Sequence, residues 1–126
     1  MNVEKNKVLI VDDEPDTITF LTQWLEDNGY TVCSASDGNQ AMQVILSEKP
    51  DIVLMDLRMP NQTGFQLYRA LRLQEEFKHI PVIFVTGMTE SQIFSNEGTP
   101  LPKPAAFIEK PINLDALHAA IKQLIG

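Results

Sequence analysis

Short runs of Val, Ile and Leu alternate along this chain with stretches whose apolar residues fall three and four positions apart. A strand buried on both faces reads as a continuous apolar run, and a helix as a 3.6-residue period. The alternation therefore calls for a parallel α/β sheet with helices packed on its faces. The runs Val8–Val11, Thr31–Ala35, Ile52–Met55, Val82–Val85 and Ala105–Ile108 read as five strands.

The first helix begins at Pro15, a favoured first-turn residue, behind the acidic cap candidates Asp13 and Glu14. Ile18, Leu21 and Leu25 form its apolar stripe, and Gly29 ends it. Trp24 reads as a packing residue on it. A second helix spans about Asp37 to Ser47 with Ala41, Val44 and Ile45 inward. A third carries Phe65, Tyr68 and Leu71, and the last carries Leu114, Leu117, Ile121 and Leu124. Thr89 is placed to cap a short helix through Ile93 and Phe94, stopped by Gly98. Thr99-Pro100-Leu101-Pro102-Lys103-Pro104 then reads as extended, because alternate prolines remove backbone donors and fix φ.

The chain has 126 residues, the size of one domain with one core, and 44% of them are hydrophobic. A formal charge of -7 argues against a nucleic-acid surface, which needs Lys and Arg patches. The single Cys33 has no internal disulfide partner and reads as a small buried side chain. No secretory leader pattern and no membrane-length apolar run appears. The expectation is a reduced, soluble, cytoplasmic location without membrane contact.

In a parallel α/β sheet, functional groups collect beyond the carboxyl ends of the strands. Asp12 and Asp13 follow the first run, Asp56 the third, Thr86 the fourth, and Lys110 lies just past the fifth. If the first and third strands are neighbours, three carboxylates converge, and like charges so close call for a cation or a proton. Oxygen ligands suit a hard cation such as Mg²⁺. Nothing here resembles a His/Cys cluster for a softer metal; His79 and His118 read as solvated surface histidines.

Taken in order, these segments resemble the receiver family of two-component response regulators. Val8-Leu9-Ile10-Val11-Asp12-Asp13-Glu14-Pro15 is similar to its opening. Asp51-Ile52-Val53-Leu54-Met55-Asp56-Leu57-Arg58-Met59-Pro60, followed by Gly64, is similar to its phosphorylation strand and loop. Val85-Thr86-Gly87 resembles its switch strand, and Phe107-Ile108-Glu109-Lys110-Pro111 its closing signature. The resemblance implies one receiver domain over residues 1–126. It implies a flavodoxin-like, doubly wound sheet of five parallel strands in the order 2-1-3-4-5, the fold of chemotaxis receivers. It makes Asp56 the phosphoacceptor. Asp13 and Asp56 would bind Mg²⁺ directly, with the Arg58 backbone carbonyl, and Asp12 largely through water. Thr86, Gly87 and Lys110 would contact the phosphoryl group, and Lys110-Pro111 would be a cis peptide. The phosphoryl donor would be a phosphohistidine on a sensor histidine kinase or a histidine phosphotransfer protein.

The same charges imply a switch. The Thr86 hydroxyl would move to a phosphoryl oxygen, and Phe107 would turn into the vacated space. Phe107 stands where the family often has Tyr, so no hydroxyl of its own holds its outward state. Arg58 and Met88 would flank the attack path; apolar Met88 orients no water, which implies slow self-dephosphorylation. The proline-rich stretch between the fourth helix and fifth strand departs from the family pattern. Thr89–Pro104 is therefore expected to hold a short mobile helix and an extended arm, which remodels the usual dimer face. The expected state is a monomer or a phosphorylation-dependent dimer, and the output partner or domain is unknown.

Rival readings are weaker. A haloacid dehalogenase-type phosphatase needs a second acid two residues after its nucleophile, where Arg58 stands. A flavin or nucleotide site needs Gly, Ser or Thr after the first strand, where Asp12-Asp13-Glu14 would repel phosphate. A non-phosphorylated, receiver-like adaptor is the remaining alternative. Such proteins typically lack one of the acidic, Thr or Lys positions, and all are filled here. The domain is expected to be no general enzyme, catalysing only its own phosphorylation and dephosphorylation.

Overall fold

The fold comes from a computed structural model, which describes residues 6–58, 64–89, 92–93 and 102–125. Its elements are β1 (Lys7–Val11), α1 (Pro15–Asp27), β2 (Thr31–Ala35), α2 (Gly38–Glu48), β3 (Ile52–Met55), α3 (Gly64–Leu73), β4 (Val82–Thr86), β5 (Ala106–Glu109) and α4 (Leu114–Ile125). The strands form one parallel sheet of order β2-β1-β3-β4-β5. This is the flavodoxin-like topology expected from the sequence.

Alternation within the strands divides the interior in two. Leu9, Val11, Val53, Met55, Val82 and Phe84 face α2 and α3. Val8, Ile10, Ile52, Leu54, Ile83 and Val85 face α1 and α4. Successive side chains of a strand point to opposite faces, so a continuous apolar run fills both layers at once.

Strand limits depart by a residue where hydrogen bonds outrank apolarity. Lys7 joins β1 because its carbonyl accepts from the Asp51 N–H at 2.8 Å while its own N–H donates to the Asp51 carboxylate at 2.9 Å. At the other end, the Lys110 N–H donates to the Thr86 carbonyl at 2.8 Å, so β4 runs on through Thr86 and β5 through Glu109.

Helix ends follow local chemistry, with one correction. Asp37 caps α2 by accepting from the Gln40 N–H at 2.8 Å. At the end of α1, Gly29 has φ +90°, and the N–H groups of Gly29 and Tyr30 donate back to the carbonyls of Glu26 and Leu25. That is a left-handed glycine stop, in which glycine avoids the Cβ clash. At the start of α1, however, Glu14 occupies the cap position without a side-chain cap bond. The Glu14 N–H is instead taken by the Asp12 carboxylate at 2.9 Å.

Thr89 caps as expected. Its hydroxyl accepts from the Gln92 N–H at 3.2 Å, and the Gln92 side-chain oxygen accepts from the Thr89 N–H at 2.9 Å. Ile93 is buried in the core. Pro102–Pro104 carry no helix or strand. Met59, Pro60, Phe94, Gly98 and the first half of the proline stretch lie outside the described residues.

Two side chains differ from the sequence reading. His118 is half-buried, with its ring edge-on to Trp24 at 5.6 Å and to Tyr30 at 6.4 Å, so it is a packing residue; His79 is exposed as expected. Cys33 is half-buried rather than enclosed, because β2 forms an edge of the sheet.

Candidate functional site

Register brings the acids together. Val11 of β1 pairs with Met55 of β3, so the next residues, Asp12 and Asp56, leave adjacent strands at the same level. Both are nearly enclosed, at 3% and 6% exposure, whereas Asp13 is exposed. One carboxylate oxygen from each of Asp12, Asp13 and Asp56 lies within 4.8 Å of the others. Among the described residues this is the one such group of potential ligands. An all-oxygen set that reaches solvent at Asp13 fits a hard divalent cation that keeps several waters. The donors present therefore fit Mg²⁺.

Lys110 offsets part of the buried charge. Its ammonium donates to Asp12 Oδ2 at 2.9 Å and to Asp56 Oδ2 at 3.0 Å, with its side chain 21% exposed. The other oxygens are held by backbone: Asp12 Oδ1 by the Glu14 N–H, and Asp56 Oδ1 by the Arg58 N–H at 3.1 Å. Burial pushes the Asp12 carboxyl above its usual range, and the Glu14 N–H and Lys110 only partly offset it. Burial alone would lower the Lys110 ammonium. The hydrogen bonds and charges of Asp12 and Asp56 outweigh that and raise it, so the ammonium stays charged.

The remaining expected residues surround this centre. Thr86 is fully buried at the end of β4, and its hydroxyl oxygen lies 3.4 Å from the Met88 N–H. Gly87 is exposed, and a Cβ there would meet nothing within 4 Å. Phe107 lies half-buried on β5 opposite Phe84 and packs on the α3 side. Arg58 is exposed, and Met88 is half-buried against the same core. The Lys110–Pro111 peptide is cis, as the resemblance implied.

Two features go beyond the sequence reading, which named Gly64 only as part of the loop after Asp56. Gly64 opens α3 against the β3 end: a Cβ there would overlap the Asp56 carbonyl oxygen and stand 2.6 Å from Leu57 Cα. The Gly64 N–H also donates to the Leu57 carbonyl at 3.2 Å. A residue without a side chain after the strand-end acid is the only trace this close approach leaves in the sequence. The second feature is a cleft of about 600 Å³, lined in part by Lys49, Asp51, His79 and Leu124. It lies at the opposite end of the sheet and takes in none of Asp12, Asp13 and Asp56.

Comparison with known proteins places this geometry in a wider set. A family profile described as "Response regulator receiver domain" matches residues 8–122. Protein PilH of Pseudomonas aeruginosa is 35% identical over 120 residues, covering 95% of this chain and 98% of that protein. Other curated relatives are longer, and the chain spans between 16% and 53% of their length. Among solved structures, a sensor protein from Polaromonas sp. JS666 superposes with a TM-score of 0.87 at 25% identity, covering 96% of both chains. The chemotaxis response regulator CheY4 of Vibrio cholerae superposes with a TM-score of 0.79 at 29% identity, covering 94% of this chain and 98% of that one.

Proposed function

This chain belongs to the response-regulator receiver domain family, and we propose that it accepts a phosphoryl group from a partner phosphohistidine onto Asp56. The observation that carries the proposal is the clamp of Lys110 across Asp12 and Asp56, with Asp13 alongside. It supplies a nucleophile, a fixed cation and a set of oxygen ligands at one point.

Asp13 and Asp56 would hold Mg²⁺ with the Arg58 carbonyl, and Asp12 would reach it largely through water. Bound there, the ion would supply positive charge against the oxygens of the transferred group. The chain's own residues do the rest. An Asp56 oxygen attacks phosphorus; the new O–P bond forms as the P–N bond to the donor imidazole breaks, and the imidazole leaves with the electron pair. Lys110 neutralises charge on the transferred oxygens, and the oxygens of the acid pair keep its ammonium in place. Gly87 leaves open space beside Thr86, which suits a phosphoryl contact. The Thr86 hydroxyl then turns to the phosphoryl group, and Phe107 moves toward the space it leaves. Hydrolysis of the acyl phosphate restores Asp56.

A sensor kinase or histidine phosphotransfer protein would dock beside the site, where Phe20 is exposed and a shallow depression is lined by Asp16, Thr17, Lys110 and Ile112. Residues 1–126 act as one receiver domain in this reading, in the cytoplasm, as a monomer or a phosphorylation-dependent dimer. Among the described residues no helix is long and apolar enough to cross a membrane. The domain would catalyse only its own phosphorylation and dephosphorylation, and pass its state to an output partner or domain.

The test is incubation with a small phosphodonor and Mg²⁺, followed by intact-mass measurement. A gain of one phosphoryl group is expected, absent in Asp56→Asn and with chelator. No gain in the wild-type chain would leave the adaptor reading in its place.

A further inference from the structure

Tyr68 has no part in the chemistry above, yet it is a fully buried polar side chain. Its ring meets Phe84 edge-on, with centroids 4.8 Å apart, and the Arg72 guanidinium lies 5.3 Å from its centroid. Its hydroxyl leaves α3 and donates to the Pro102 carbonyl at 2.8 Å. Pro102 and Pro104 offer no N–H of their own, so this bond ties a segment poor in backbone donors. The next tie is the Ala105 N–H to the Val82 carbonyl at 2.9 Å, immediately before β5.

Arg72 completes the arrangement by donating to the Ile80 carbonyl, just ahead of β4. The helix α3 thus grips the approaches to β4 and β5, whose far ends lead to Thr86 and Lys110. Phe84 pairs in register with Phe107, and Tyr68, Phe84 and Phe107 belong to one core layer.

We propose that the Tyr68 hydroxyl is a latch on the resting packing, holding the segment before β5 against α3 and so opposing the Thr86–Phe107 rearrangement. The proposal rests on the phosphoreceiver reading. Phe107 has no hydroxyl to hold its resting position, and Tyr68 supplies one from the neighbouring helix. A bond made only in the resting packing biases the equilibrium toward that packing, so its loss makes the other packing easier to reach.

Tyr68→Phe removes the hydroxyl and keeps the ring. Two quantities are measured: amide exchange without ligand, and the beryllofluoride concentration for half-saturation with Mg²⁺. Exchange over residues 105–109 should speed up about fivefold, the scale of one neutral hydrogen bond, while β1 and β3 amides stay unchanged as a check on the fold. The half-saturation concentration should fall by a similar factor. Unchanged exchange, or an unchanged or higher half-saturation concentration, overturns the latch. If the wild-type protein binds no beryllofluoride, the phosphoreceiver reading falls and takes the latch with it. If wild type binds and the variant matches it, the latch alone falls.

Discussion

The ammonium of Lys110 stands 3.0 Å from Asp56 Oδ2, although 54 positions separate the two residues. It also holds Asp12 at 2.9 Å, so one cation is shared by two nearly enclosed acids. Removing one partner of a buried pair costs about 3–5 kcal/mol. Lys110 is partly exposed, so Lys110→Ala should lower stability by about 2 kcal/mol after screening. Urea denaturation in chelator measures this, and millimolar Mg²⁺ should restore part of the loss. A variant as stable as wild type in chelator would show that the clamp does not offset the acids.

Gly64 is set by contact with the Asp56 backbone. A Cβ that overlaps the Asp56 carbonyl and stands 2.6 Å from Leu57 Cα must displace one side or the other. Overpacking of this kind typically costs about 1–3 kcal/mol. Gly64→Ala should show that loss in denaturation and slow the gain of phosphoryl mass. Wild-type stability would mean that the turn moves aside without resistance.

Arg58 and Met88 should govern the lifetime of the acyl phosphate. Arg58 is exposed beside Asp56, and Met88 follows Thr86 by two positions with an apolar side chain. Met88→Glu should shorten the lifetime by about tenfold by placing a group that orients water, in the range of general-base effects or below. Arg58→Ala should shorten it less. Decay of the phosphorylated mass measures both, and unchanged lifetimes in both variants would remove these residues from the account.

Cys33 provides the pH test. Burial is the main cause that raises its thiol above the ordinary value of 9.0; the Glu48 charge adds to this and Lys7 opposes it. The folded protein therefore holds this proton more tightly than the unfolded chain. The stability from Cys33 is fully present below pH 9.0 and is lost as pH rises through the folded value. At about pH 8 the native thiol should alkylate more slowly than in urea, because burial holds its proton and the thiolate is the nucleophile. Equal rates would show that the thiol is freely ionised in the fold.

Much of the fold was legible before the structure. Both faces of a central parallel strand are covered, so Val8–Val11, Ile52–Met55 and Val82–Val85 declare themselves as unbroken apolar runs. Asp12, Asp13, Asp56, Thr86 and Lys110 were legible because strand-end positions in this topology converge on one edge. The limits of β1 and β5 were not, because Lys7 and Glu109 join their strands through backbone hydrogen bonds that no apolar period records.

Local order alone determined which segments are strands and helices and which side chains stand at the strand ends, since period and polarity act over a few neighbouring residues. Tertiary structure alone decided that Lys110 spans both acids, that Asp12 takes the Glu14 N–H, that His118 packs between Trp24 and Tyr30, and that Tyr68 reaches Pro102. Those contacts depend on strand register and side-chain reach across residues distant in the chain, and both exist only once the layers have packed.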